Sequence, residues 1–252
     1  NIHDIDTLAE LGFKSWREWD NYLVNKKKEV ALRWEGFLTG KDGIPESDKA
    51  ISLKLADELV TKIEKWSTED YPAEAFSLAV VENLADAYLI TGNKTYAKAF
   101  EKALVAHKKI MKQKILSLND MNDFNPVHNP NDPYFDYQIV VAEHMAYAYL
   151  TMKEVGFSDE THSIMMWTIL RACRFAHFNI RKAYKYGNHQ IYESAGLACV
   201  AALFPEFRES DIWAKQHLVL CLIISPENCI PMALIKKDVL IIVWHFLIQC
   251  ML

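Results

Sequence analysis

KYGNHQIYESAGLACVAALFPEFRESDIW, residues Lys185 to Trp213, holds in order a turn, a helix and a helix stop. Gly187-Asn188-His189 opens it, and Asn188 is a good N-cap because its side chain can accept from an unpaired first-turn N–H. From His189 to Leu203 most residues are small or apolar and no Pro intervenes; Pro205 then ends the helix, since it lacks the N–H that the helix needs. Glu193 stands four residues after His189 on the same helical face. It can orient the imidazole, or pair with Arg181 or Lys185.

Working outward, Tyr137 to Val155 and Asp159 to Tyr186 read as two preceding helices, and Asp211 to about Leu222 as a following one. Ahead of them, Asn119 to Asp136 (NDMNDFNPVHNPNDPYFD) holds three Pro among many Asn and Asp and must be a loop. Loops of that length are commonly functional. Ala73 to Ile90 and Lys94 to Leu116 form a helical hairpin around Thr91-Gly92-Asn93, where Gly and Asn accept the left-handed conformation that ends a helix. Ser15 to Leu38 is an amphipathic helix with Trp16, Trp19, Leu23, Val30, Leu32, Trp34 and Phe37 near a 3.6-residue period. GKDGIP, residues 40–45, breaks it, and Ser47 caps a helix that runs through Trp66. The fold class is therefore all-α.

Composition narrows the function more than it defines it. The net charge is −5, and the longest basic run, Lys26-Lys27-Lys28, meets Glu29 at once, so no nucleic-acid footprint is present. Cys173, Cys199, Cys221, Cys229 and Cys250 contain no C-x-x-C pair, and Glu143-His144 has no second His at the spacing a zinc protease needs, so no metal site is expected. His162, His177 and His217 are scattered without ligand spacing. Seven Trp and eleven Tyr suit a helical core or a ring-lined sugar cleft equally well. The chain opens Asn1-Ile2-His3-Asp4, without Met or an apolar leader, as a processed or mid-chain start would.

The segment from Lys185 to Trp213 resembles heparinase II/III-type polysaccharide lyases, in which a Gly-Asn-His turn opens a small-residue helix that closes with Leu-Phe-Pro-Glu-Phe. The matching residues are Gly187, Asn188, His189 and Glu193, then Leu203, Phe204, Pro205, Glu206 and Phe207. A weaker likeness reaches back to Ala73 through the hairpin and the long loop. The resemblance implies an incomplete (α/α) toroid built of helical hairpins over residues 1–218. It also implies a periplasmic or secreted protein acting on uronate-containing polysaccharide of the heparan sulfate, heparin or alginate type, without a cofactor.

Such enzymes cleave by β-elimination. The proton beside the carboxylate leaves, so the carboxylate must be neutralised, a base must take the proton, and an acid must protonate the leaving oxygen. By resemblance Asn188 neutralises the carboxylate and His189 acts as base or binds substrate. Glu193, Gln138, Tyr134, Tyr137 and His128 are the expected substrate contacts, Gln138 as a second amide donor and the two Tyr as stacking rings. Each has an ordinary alternative: helix cap, surface histidine, solvated loop or core ring. Arg171, Arg174, Arg181, Lys182 and Lys185 form a basic stripe that suits sulfate or, equally, solvent.

Residues 219–252 depart from that pattern. They carry only Glu227, Lys236, Lys237 and Asp238 as charges and contain no Tyr, whereas the family supplies a Tyr acid/base downstream of its Phe-Pro-Glu-Phe helix. The apolar run Val239 to Leu252 is shorter than the ~20 residues a membrane crossing needs, so no stable span is expected. Our reading of this tail is a change of reading frame, and translating the coding DNA in its other two frames should recover a polar, Tyr-containing continuation. Without that Tyr, little or no lyase activity is expected. Two further functions stay open. One is a non-catalytic tetratricopeptide-like scaffold, suggested by Leu84 to Leu104. The other is a glycoside hydrolase, which would need facing acids among Asp136, Glu143 and Glu193.

Overall fold

The computed structural model describes residues 6–26, 46–66, 80–115, 138–181 and 188–216. Among them the regular structure is helical throughout, and no strand occurs. In chain order the helices are α1 (Thr7–Leu11), α2 (Trp16–Lys26), α3 (Glu46–Ile63), α4 (Val80–Thr91), α5 (Lys94–Ile115), α6 (Gln138–Thr151), α7 (Asp159–Arg181) and α8 (Asn188–Leu203). A further helix, α9, spans residues 210–216.

The α4–α5 hairpin turns as its sequence predicts. Gly92 takes a φ of 68°, and Asn93 Oδ1 accepts from the Thr95 N–H at 3.0 Å, capping α5. A Cβ at Gly92 would meet no atom within 4 Å. Gly92→Ala is therefore expected to cost about 1 kcal/mol, from backbone strain alone, and equilibrium denaturation should show no larger loss. The span read as one helix from Tyr137 to Val155 divides: α6 ends at Thr151, a 3-10 turn covers Lys153–Val155, and Gly156 turns the chain at a φ of 76°. α1 escaped the sequence reading. Five residues give no visible period, and its ends are fixed by Asp6 accepting from the Ala9 N–H and by Gly12 at a φ of 78°.

Side-chain contacts fix the directions of the helices. Asp86 of α4 meets Tyr147 of α6, and Glu82 meets His144, so α4 and α6 run parallel. Phe204, just past α8, stacks on Tyr149 near the end of α6, which gives α8 the same direction. Tyr96 of α5 donates to Asp57 of α3, and Lys102 pairs with Glu64 just beyond it. Thr161 of α7 donates to Glu101 of α5 at 2.7 Å. Helices α3, α5 and α7 thus share one direction and α4, α6 and α8 the opposite one.

Burial follows the same division. Every residue from Met145 to Leu150 of α6 is buried, as expected for a helix with few charges and neighbours on all sides. α7 buries Ile164 to Cys173 without a gap, including Arg171 at 2% exposure. This corrects the basic stripe, because Arg171 points inward over the face of Trp167, 5.2 Å from its centroid. Beside it, burial and then the Arg171 charge push His107 down to about 3. Arg174 is also engaged: its Nε lies 2.7 Å from Glu209 and its Nη2 3.1 Å from Glu10, tying α1 and the turn after α8 to α7.

Candidate functional site

The parallel run of α4, α6 and α8 separates two ends of the helices. One end holds the start of α6 at Gln138 and the start of α8 at Asn188 and His189. At an α-helical rise, Phe204 to Asn188 spans roughly 24 Å and Tyr149 to Gln138 roughly 16 Å. Gln138 and Glu193 therefore stand at similar height on neighbouring helices, and Asn188 begins about 8 Å further out. For Gln138, Asn188 and His189 only the backbone is described, and Glu193 is half-buried on α8. Tyr134, Tyr137 and His128 lie outside the described residues, as does the tail 219–252.

The first turns of α6 and α8 present N–H groups that have no partner within their own helix, and the aligned peptide dipoles put partial positive charge there. Such helix starts favour a carboxylate or sulfate.

The opposite end is built from aromatic rings. Phe204 packs on Trp19 at 6.5 Å, on Tyr149 at 6.3 Å and on Phe207 at 5.8 Å, while Phe207 meets Trp213 edge-on at 6.3 Å. Ser210 Oγ donates to the Phe204 carbonyl at 2.6 Å, holding the turn closed. Tyr22 donates to Glu206 at 2.5 Å, and burial followed by that bond pushes its phenol up to about 12. Leu-Phe-Pro-Glu-Phe is thus an anchor for α2, with Leu203, Phe204 and Phe207 buried and Glu206 bonded across. Tyr22→Phe should cost about 1 kcal/mol for the lost, half-exposed bond, measured by urea titration, and should remove the phenol that ionises near 12.

Several readings of isolated residues resolve here. His144 pairs with Glu82 between α4 and α6, so the Glu143-His144 dipeptide contributes to packing. The described aromatic residues mostly join the core. His162, which seemed scattered in sequence, joins Trp16, Trp19, Asp20 and Tyr149 in one buried cluster. The tandem Trp16 and Trp19 with Asp20 was its sequence signal, but the partners lie over a hundred residues away. Among the described residues no group of three His, Cys, Asp or Glu could hold a metal ion, and no helix is long and apolar enough to cross a membrane.

An all-α chain of alternating antiparallel helices defines a helical-hairpin domain. The family model for the heparinase II/III N-terminus matches residues 77–220, more than half of the chain, and the chain belongs to that family. The match runs from just ahead of α4 past α9 and includes the Gly-Asn-His turn and the Leu-Phe-Pro-Glu-Phe anchor. No curated protein and no solved structure matches the chain significantly.

Proposed function

We propose that this chain is the helical, substrate-holding part of a polysaccharide lyase that acts on uronate-containing chains by β-elimination, in an extracellular or periplasmic setting. One observation carries the reading: the Gly-Asn-His turn of a family member opens α8 at the same end as the start of α6. Asn188 would donate its amide to the uronate carboxylate, lowering the cost of removing the neighbouring proton. His189 would take that proton or hold the adjacent sugar, with Glu193 one turn below to orient its ring. Gln138 would supply a second amide donor, and His128, Tyr134 and Tyr137 would border the cleft from the long loop.

The domain is read as residues 1–218, with the toroid only partly closed and 219–252 an atypical tail without the Tyr acid. Removing a proton-transfer group generally costs about 10²–10⁴ in rate, so binding should outlast turnover. The tetratricopeptide alternative has less support, because the hairpin that suggested it falls inside the heparinase II/III match. The glycoside hydrolase reading needs facing acids, of which Asp136 lies outside the described residues.

The test pairs two measurements on heparan sulfate, heparin, hyaluronan and alginate: polymer binding, and ultraviolet absorbance of the unsaturated uronate product. Binding to at least one polymer with a slow or absent rise in absorbance is expected. Neither binding nor absorbance with any polymer would overturn the proposal.

A further inference from the structure

The contacts that hold α2 converge on one ionisable ring. His162 is 1% exposed, and its Nδ1 lies 2.6 Å from the Tyr149 hydroxyl, which also receives the Trp19 indole N–H at 2.7 Å. An indole can only donate, so Tyr149 accepts from Trp19, and its own proton has an acceptor when His162 Nδ1 is unprotonated. In that neutral form the ring carries its proton on Nε2, 3.5 Å from Asp20 Oδ1. Trp16 stacks over it with centroids 5.8 Å apart and planes 10° from parallel.

Adding a proton changes this chain of bonds. Nδ1 then becomes a donor, so Trp19 and His162 both donate to the Tyr149 oxygen, and the phenol proton loses the acceptor it has in the neutral arrangement. Rings pack around the cluster, with Phe157 and Tyr149 edge-on to the imidazole, so the rearranged bonds lie out of water.

We propose that α2 is an acid-releasable strap: protonation of His162 reverses its bond with Tyr149, takes from the phenol proton the acceptor it had, and lets residues 16–26 lift from α6 and α7, which stay folded.

The charged groups facing the ring are Asp20 on α2, Asp159 on α7 itself and Glu101 on α5, and all three favour the imidazolium. Burial opposes them and prevails, holding His162 below the ordinary histidine value of 6.5. The sign follows. The docked strap prefers the neutral ring, so the stability it contributes is full above the ordinary value and falls as pH drops from there toward the lowered one. Glu206, the other hydrogen-bond partner of α2, lies in the turn after α8 and bonds Tyr22.

Amide hydrogen exchange of the full chain from about pH 7.5 to about pH 5, corrected for intrinsic rates, tests the strap. Opening of residues 16–26 should rise about tenfold per unit of pH below the ordinary histidine value before levelling, while α6 amides stay unchanged. His162→Gln should make the opening independent of pH. Asp20→Asn, which removes a charge that favours the imidazolium in the docked state, should leave the onset in place and move the levelling to lower pH. Strap protection that ignores pH in the wild type, or that keeps its pH dependence in His162→Gln, would overturn the proposal. Should His162→Gln fail to fold, the wild-type imidazole titration by NMR decides: a value at or above the ordinary one rejects the strap.

Discussion

Trp19→Ala is expected to be among the most damaging single changes to the fold, removing about 3–5 kcal/mol of stability. Trp19 is fully buried, with Phe13 edge-on at 5.1 Å, Tyr22 stacked at 5.6 Å and Phe204 at 6.5 Å. Truncation leaves a cavity that these rings cannot close without losing their other contacts, because Phe204 is also held by Tyr149 and Phe207. It also removes the N–H bonded to Tyr149. Trp19→Phe retains one ring and loses the donor with part of the indole's volume, so it should cost less, about 1–3 kcal/mol. Urea denaturation of both variants gives the comparison. A loss under about 1 kcal/mol for the alanine variant would mean that α2 is not anchored as described.

Asn188→Ala carries the largest expected functional effect. A hydrogen bond from a neutral amide to a buried carboxylate contributes about 1.5–3 kcal/mol, so the affinity for whichever acidic polysaccharide binds should fall about tenfold to a hundredfold. Any residual elimination should fall further, because the amide also stabilises the charge that develops when the proton leaves. Asn188→Asp sharpens the test: it keeps a side chain of the same size in the first turn of α8 but places a negative charge against the uronate. Weak binding in both variants with unchanged melting temperature supports the carboxylate role. Unchanged binding in both would reduce Asn188 to a helix cap, and binding lost only with a lower melting temperature would do the same.

These two residues belong to opposite ends of the helices, and so divide the chain by role. The aromatic end, from Trp16 to Trp213, holds the first helices on the family's core. The other end holds the starts of α6 and α8, with Gln138 and Asn188. The Leu-Phe-Pro-Glu-Phe run therefore marks the family through a structural role, and Asn188 and His189 mark it at the start of α8.

Much of this was present in the sequence. Periodicity and turn residues located the helices from α2 to α8, because an amphipathic stripe and a Gly-Asn turn are local properties of the backbone. The Gly-Asn-His and Leu-Phe-Pro-Glu-Phe runs identified the heparinase II/III family, since both ends of one helix were correctly separated. Tertiary structure decided what local patterns cannot contain. It set the parallel directions of α4, α6 and α8, turned Arg171 inward, and gave Arg174 to Glu10 and Glu209. It also joined Trp19 to Tyr149 and His162 across more than a hundred residues. The physical reason is that the protonation state and bonding of a buried polar group depend on which donors and acceptors surround it once water is gone, and only the packed chain supplies that list.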